Sequence, residues 1–537
     1  MPTSSRAWLA TSALILAVCL SSAAQINVTT YHNDNGRTGQ NTLETSLTTS
    51  NVNSANFGKL FSQAVDGYSY SQPLYVANVS IPNLGTHNVV YVTTMNDSVY
   101  AFDADANAGS DAQALWHVSF INTSQGITTV PTSVLHCPDS VTTQVGIMST
   151  PVIDTTSNTM YVVARTSENG SYFHRLHALD ITTGAEKFGG PVAIQATVSG
   201  KGTGSKNGSI SFDPLLENQR AALLLQNGLV YIAWASLCDF GAYHGWMMAY
   251  DSQTLAQTAV WLTSPNGNRG GIWASGNGPA GDSSFNTFVP IGNGTFDVNK
   301  GGIDYGESVV KLGQPSGSTF PILDYFTPFD ATSFNTNDKD VGSAGLVLLP
   351  DQTGPVAHLL VQANKEGDLY LVNRDSMGGF NSVDNSQIVQ DIESANRGMW
   401  SSPAWWNNNI YLGGNAGPVQ AFSFNTTTGL LSTTPTSKSG MNFGYPGTTV
   451  SISSNGTTSG IVWALNNSTY KSTTGTAVLL AYDATNLGKQ LYSSKSNATR
   501  DNPGAAIKFS VPTVANGKVY VMTQKNLVVY GLLAKPH

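Results

Sequence analysis

An eight-bladed, all-β propeller is the fold this sequence predicts, and three observations predict it. Charged residues make up only 11% of the chain, against roughly 25% in ordinary soluble proteins. Ser, Thr, Asn and Gly stand in their place, with no run of helix-period apolar residues, so strands and turns are expected throughout. A four-strand phrase recurs along the whole chain. The last copy of that phrase stops one strand short, and a matching strand lies near the beginning.

The phrase opens with a small residue two places before a Pro: Ser71-Gln72-Pro73, Ser149-Thr150-Pro151, Ser401-Ser402-Pro403 and Ser510-Val511-Pro512. A short strand and turn follow, then a strand built around Tyr: VVYVTT at 89, MYVVAR at 160, NIYLGG at 409, KVYVMT at 518, and a weaker LVYIAWAS at 229. A third strand ends in a polar turn, as in VYAFDAD at 99, LHALDITTG at 176, MMAYDSQT at 247, VQAFSFNTTTG at 419 and LLAYDAT at 479. A fourth often follows. Third strands fall near residues 100, 177, 248, 308, 370, 420, 480 and 528, which makes eight units, the fourth and fifth degenerate. Each unit takes about 64 residues, longer than the roughly 40–50 of compact propeller repeats, so the loops are generous. A radial array of four-stranded blades suits such a repeat because it leaves few free edges. The final unit ends at LVVYGLL with no fourth strand. GKLFSQA, residues 58–64, resembles the fourth strand GKQLYSS at 488–494, so the N-terminal strand is expected to complete the last blade.

The first residues read as an export signal. Arg6 precedes an apolar run from Trp8 to Leu20, and Ser22-Ala23-Ala24 offers a cleavage site before Gln25. This makes 1–24 a signal peptide, 25–537 the propeller, and the protein secreted or periplasmic. The run is too short to span a bilayer. Of three cysteines, Cys19 lies in that leader. Cys137 and Cys238 remain, either as a disulfide, which an oxidising compartment favours, or as two thiols. The formal net charge of −8 without a basic stripe excludes nucleic acid as a partner.

The third strands VYAFDAD, LHALDITTG and LLAYDAT and the small-x-Pro lead-ins resemble the pyrroloquinoline-quinone (PQQ) repeat propellers, the quinoprotein alcohol dehydrogenase-like superfamily. The resemblance covers nearly all of residues 25–537 and is greatest to secreted members without an assigned activity. It implies the propeller fold. For activity it leaves two readings: a dehydrogenase holding PQQ and calcium, or a non-catalytic binding platform. The chain departs from the family pattern at several points. Asp180-Ile181-Thr182-Thr183-Gly184 fits the repeat's turn, but Phe188 stands at the place of the docking Trp, and Asn425 replaces the Asp in NTTTG. The adjacent cysteine pair of many dehydrogenases and the C-x-x-C-H haem motif are absent.

Propeller topology puts the linkers into each first strand, and the loops between second and third strands, on one face. Cys137 and Cys238 then share that face in neighbouring blades, which favours their bond. The linkers carry Tyr68 and Tyr70, Met148, Trp273, Trp400, Tyr445 and Phe509. A shared G-[IM]-[MW]-[AS] phrase aims one side chain at the axis in three blades. Arg220, Arg269, Asn277, Asp340, Arg397 and Lys508 lie close by. The other loops add Tyr243, His244, Asn364, Lys365 and Glu366. Such rings stack on a flat quinone or on sugar faces, and cations grip carboxylates. Equally, rings at the axis can simply plug it. The ligand-binding residues expected from this pattern are Tyr70, Tyr243, His244, Trp273, Asn277, Lys365, Arg397, Trp400 and Tyr445.

Two functions follow. The first is a monomeric binding scaffold whose top face takes a small molecule, a glycan or an envelope protein. The second is a PQQ- and calcium-dependent dehydrogenase of alcohols or sugars. In it Asp340 acts as base, and Arg397 or Lys365 holds quinone oxygens. The second needs a deep axial pocket with convergent oxygens, and a channel filled by Trp273 and Trp400 would remove it. Other chemistry is thin. HRLH puts His174 and His177 on opposite faces of a strand, a poor chelate. His32, Asp34 and Arg37 in YHNDNGRTGQN form either a lid or a solvated tail. Asp297, Asp304 and Glu307 read as a solvated acidic loop without EF-hand spacing. No G-x-S-x-G elbow supports a serine hydrolase.

Overall fold

The computed structural model describes Met1 and residues 26–137 and 142–534. Apart from Met1, the expected leader lies outside the described residues. Eight sheets of four to six strands follow one another, spanning 74–119, 152–193, 224–262, 280–327, 346–392, 404–443, 451–493, and 513–532 with 57–64 (blades 1 to 8). The third strands Ser98–Asp103, Ser171–Asp180, Trp246–Asp251, Val309–Leu312, Leu369–Asn373, Gly417–Asn425, Val478–Asp483 and Asn526–Leu532 fall where the repeat places them. Phe57–Ala64 pairs antiparallel with Asn526–Leu532, so the N-terminal strand completes blade 8 as expected. Among the described residues there are only two short α-helices, Ala331–Asn337 and Ala498–Asp501. No described helix is long and apolar enough to cross a membrane.

The core is a ring rather than a centre. Each of eight apolar clusters is shared by two neighbouring blades. The cluster of Val90, Phe102, Tyr520 and Val529 unites blade 8 with blade 1 and closes the circle. The recurring Tyr and Asp work together across these seams. The Asp ending a third strand caps its own turn: Asp180 Oδ1 accepts from the Thr182 N–H and Asp483 Oδ1 from the Thr485 N–H. The carbonyl of the next residue is left pointing at the preceding blade, and that blade's Tyr donates to it. Tyr91 reaches Ile181 at 3.0 Å, Tyr161 reaches Ser252 at 2.8 Å, Tyr411 reaches Ala484 at 2.9 Å and Tyr520 reaches Ala104 at 3.2 Å. Tyr231 faces the degenerate fourth blade, which has no such turn, and its hydroxyl has no partner.

Residues 26–44 thread the channel. They are neither a lid nor a solvated tail: Tyr31, His32 and Arg37 are buried, the last two completely. The innermost strands of a ring offer unpaired backbone groups to the channel, and buried backbone groups need partners. This plug supplies them. The N–H groups of Tyr75, Ile153, Gly281, Leu348, Trp405 and Ile452 donate to the carbonyls of Val28, Thr29, Asn35, Gly36, Thr38 and Gly39, each at 2.8 or 2.9 Å. The side chains of Asn35 and Asn41 donate to Leu225 and Val514 in the two remaining blades. Gly39 is required where the plug folds back on itself. Its φ is +70°, and a Cβ there would lie 2.7 Å from the His32 ring.

His174 and His177 are both buried but engage separate neighbours, as their opposed faces imply. His177 meets Glu186 at 2.5 Å. His174 accepts from the Trp234 indole N–H at 3.2 Å and donates from Nε2 to the Pro214 carbonyl at 3.1 Å. Both contacts require the neutral ring, and burial holds its pKa well below the ordinary value of 6.5. A base with a depressed folded pKa lends stability that is full above its unfolded pKa and is lost as pH falls through the window beneath it. Stability is therefore expected to decline below about pH 6.5, and His174→Gln to flatten that acid limb in urea titrations from pH 7 to 5. An unchanged slope would mean that other groups set it.

Candidate functional site

One linker residue from each blade converges on a cavity of about 270 Å³ at the axis: Tyr70, Met148, Arg220, Trp273, Ser343, Trp400, Tyr445 and Phe509. Asp239, Tyr243, Asn293, Asp340 and Lys508 complete its wall. The side chain aimed inward by the G-[IM]-[MW]-[AS] phrase is Met148, Trp273 or Trp400, and all three line the cavity. The rings fall into two groups. Tyr70, Phe509 and Trp273 meet edge to face at 5.5 Å between centroids. Trp400 meets Tyr445 at 5.4 Å. Trp273 and Phe509 come from the linkers of opposite blades, so these rings meet across the axis and the cavity lies against them.

The backbone is strained where it presents these groups. Ala274 and Ser275, directly after Trp273, and Phe509 all have positive φ, at 49°, 50° and 67°. Such conformations cost about 1–3 kcal/mol each and persist where surroundings over-determine them, often at binding sites. Here Ser275 is fixed from both sides. Its hydroxyl donates to the Trp400 carbonyl, and its own carbonyl accepts from Arg220.

Asp340 also lines the cavity. Its Oδ1 accepts from the Asn293 N–H at 2.8 Å, and its Oδ2 meets Lys365 Nζ at 3.0 Å. Lys365 also pairs with Asp338 at 2.6 Å and lies 5.9 Å from the Trp400 ring. Burial pushes the Asp340 pKa up while Lys365 pulls it down, and the net direction is upward. Burial works against the charge on Lys365, but its carboxylate partners outweigh it and raise its pKa. Behind them Glu307 accepts from the Val341 N–H at 2.7 Å, and burial, with Asp340 nearby, holds its pKa well above the ordinary value. Glu307 Oε1 and Asn293 Oδ1 are buried with no partner.

Five of the expected ligand-binding residues thus lie on the cavity wall, together with Asp340, and four do not. Lys365 stands behind Asp340 and Trp400. Arg397 is exposed and lies outside the lining. Asn277 is fully buried and turns away to donate to the Leu346 carbonyl at 2.9 Å. His244 is buried between the Ser264 hydroxyl and the Thr203 carbonyl, both at 2.8 Å. The acidic loop is not solvated, since Asp304 and Glu307 are buried. Asn293 and Asp239 escaped notice in the sequence, where a lone Asn between glycines and a loop Asp carry no signal.

Cys137 and Cys238 form a disulfide, with Cα atoms 5.5 Å apart and 101 residues between them in sequence. Cys238 lies on the cavity rim. By the chain-entropy model a loop of this length is worth about 4–5 kcal/mol. The Cys137→Ser/Cys238→Ser double variant is expected to lose a large part of that, read as a lower urea midpoint with a steeper slope, because the unfolded chain is freed to expand.

No protein-family model matches the chain, and no curated protein sequence does. Solved structures do. The quinohemoprotein alcohol dehydrogenase ADHIIG from Pseudomonas putida HK5 superposes with a TM-score of 0.59 at 13% identity, over 95% of this chain and 81% of the other. A europium-containing methanol dehydrogenase superposes with a TM-score of 0.61 at 13% identity, over 94% of this chain and 98% of the other. The chain has the propeller fold of these dehydrogenases. At this identity the likeness is one of fold.

A quinone and a cation fit the groups present. The two groups of rings offer faces to a flat ring. The unpartnered Glu307 and Asn293 oxygens beside Asp340 are the hard donors a divalent cation takes. Among the described residues, the only three His, Cys, Asp or Glu groups with ligand atoms within 4.8 Å of one another are His87, Asp103 and Asp111. They belong to blade 1, outside the cavity lining.

Proposed function

We propose that the axial funnel binds a flat quinone of the PQQ type and that the protein oxidises alcohols or sugars there, in an oxidising compartment that its disulfide suits. The observation that carries this reading is a carboxylate, Asp340, held by a lysine on the wall of an aromatic-lined axial cavity. The names of the two dehydrogenases of the same fold support it.

A bound quinone would supply the two-electron acceptor. Asp340 takes the proton of the substrate hydroxyl, for which a carboxylate oxygen must come within about 2.6–3.2 Å of that group. Lys365 favours the ionised carboxylate that this role requires, against the burial that opposes it. Trp273 and Trp400 hold the ring and exclude water. Glu307 and Asn293 would hold a calcium ion.

A binding scaffold without chemistry is the second reading. It is favoured by the fact that both Asp340 oxygens are already engaged. Calorimetric titration of the purified protein with PQQ, with and without calcium, separates the two. The enzyme reading expects calcium-dependent binding that is lost in Trp273→Ala and Trp400→Ala, with dye-linked alcohol oxidation. Absence of binding at millimolar PQQ would retire it and turn the search to glycans and envelope proteins.

A further inference from the structure

We infer that the funnel has an anion-recognising wall, made by Arg220 and Lys508, and that its ligand is a flat ring bearing a carboxylate. This rests on the funnel being a small-molecule site, and it adds the charge and orientation of what enters. Arg220 is 1% exposed and lines the cavity. Its donors are poorly used. NH1 reaches the Met148 carbonyl at 3.3 Å and NH2 the Ser275 carbonyl at 3.2 Å, both at the long end of the range, and Nε has no partner. Among the described residues no carboxylate forms an ion pair with it, and its electrostatic neighbours are Tyr31 and Tyr70.

The other buried arginines also leave nitrogens unpartnered, Nε and NH1 of Arg165 and Nε of Arg374, but each has a carboxylate in range or a full set of acceptors. Arg37 spends its guanidinium on carbonyls and a hydroxyl. Arg374 pairs with Asp351, and Arg165 lies in the field of Glu217 and Asp97. A buried cation without a counter-charge is unfavourable, yet the chain builds a cradle for this one. Gly276 has φ +89°, and a Cβ there would sit 2.2 Å from Arg220 NH1. The Tyr70 and Phe509 rings lie 5.6 and 5.3 Å from the guanidinium. Lys508 stands over the same two rings, at 6.0 and 5.3 Å. Two cations on one aromatic shelf, with Asp340 elsewhere in the lining, polarise the cavity. A carboxylate belongs at the shelf, where a guanidinium fork matches it, and the uncharged end of the ligand belongs at Asp340.

That carboxylate is carried either by a quinone cofactor or by a substrate. The test uses naphthalene dicarboxylate, which is flat, doubly anionic and not a quinone, beside its neutral dimethyl ester. The dicarboxylate is expected to bind more tightly than the ester by about tenfold or more. Lys508→Gln, a change at a half-buried site, should weaken dicarboxylate binding several-fold, and Arg220→Met should abolish most of it. Because Arg220 is uncompensated, Arg220→Met should leave the melting temperature of the ligand-free protein unchanged or raised. Equal binding of the ester, or an Arg220→Met protein that melts lower and still binds, would overturn the proposal. Competition between the dicarboxylate and PQQ assigns the carboxylate to the cofactor; simultaneous binding assigns it to the substrate. The two proposals fail separately. Dicarboxylate binding through Arg220 without any PQQ binding removes the quinone and keeps the wall. PQQ binding that is indifferent to both variants keeps the quinone and removes the wall.

Discussion

Arg37→Met is expected to destabilise the propeller more than any other single change considered, by about 3–6 kcal/mol, because buried acceptors left without donors cost about 1–3 kcal/mol each. Arg37 is fully buried within the plug. Its Nε and NH2 donate to the Pro279 carbonyl at 3.0 and 2.8 Å, NH2 to Leu223 at 3.2 Å, and NH1 to the Thr30 hydroxyl at 2.7 Å and the Tyr31 carbonyl at 3.0 Å. One side chain therefore ties the plug to itself and to the lead-ins of blades 3 and 4. Met fills much of the volume and replaces none of the donors. Lys supplies a point charge in place of the planar fork and should recover only part of the loss. Thermal melts of the three proteins check this. A fall of less than about 1 kcal/mol for Arg37→Met, by conversion of the melting shift, would show that the plug is held by its backbone alone. The same substitution at Arg220 has the opposite expectation, so the pair tests whether hydrogen-bond satisfaction, rather than burial of an arginine as such, decides stability.

Asp340→Asn is expected to give the largest loss of activity, about 10²–10⁴-fold in kcat, the usual contribution of a positioned base. The amide keeps the shape and can still accept from the Asn293 N–H. It cannot take a proton. Lys365 keeps Asp338 as partner, so the wall should stand. Binding of the quinone should change only a few-fold, since uniform binding and base chemistry separate into KM and kcat. Unaltered turnover in Asp340→Asn would remove Asp340 as the base. A parallel loss of binding and turnover would make it a ligand-holding group instead.

Tyr91, Tyr161, Tyr411 and Tyr520 show why the fold was legible. Each is a side chain whose hydroxyl bridges two blades, so the bridge leaves a mark in the sequence at every seam that uses it. The fourth and fifth blades lack that device and read as degenerate. The plug could not be read for the converse reason. It pairs mainly through its own carbonyls, and backbone pairing leaves no side-chain period to find. The aromatic residues of the funnel followed from strand order alone, because a linker's position decides which face it serves. That rule says nothing of the direction in which a side chain turns. Asn277 turns inward to Leu346 and His244 to Thr203, and neither reaches the cavity. Glu307 sits in a Gly-rich acidic stretch that looks like surface, and only the fold of its loop brings it beneath Asp340.

The N-terminal stretch has a consequence for the order of assembly. Gln40–Asn41 pairs with Ser451–Asn455, and Phe57–Ala64 pairs with Asn526–Leu532. Residues 40–64 therefore wait for partners made several hundred residues later. Until residues near 530 exist, the nascent protein carries an open seam on blade 8, an edge of the kind that invites wrong pairing. Contacts this distant in sequence are slow to form. Loss of Asn526–Leu532 would take away the partner of Phe57–Ala64 and leave the circle open at blade 8.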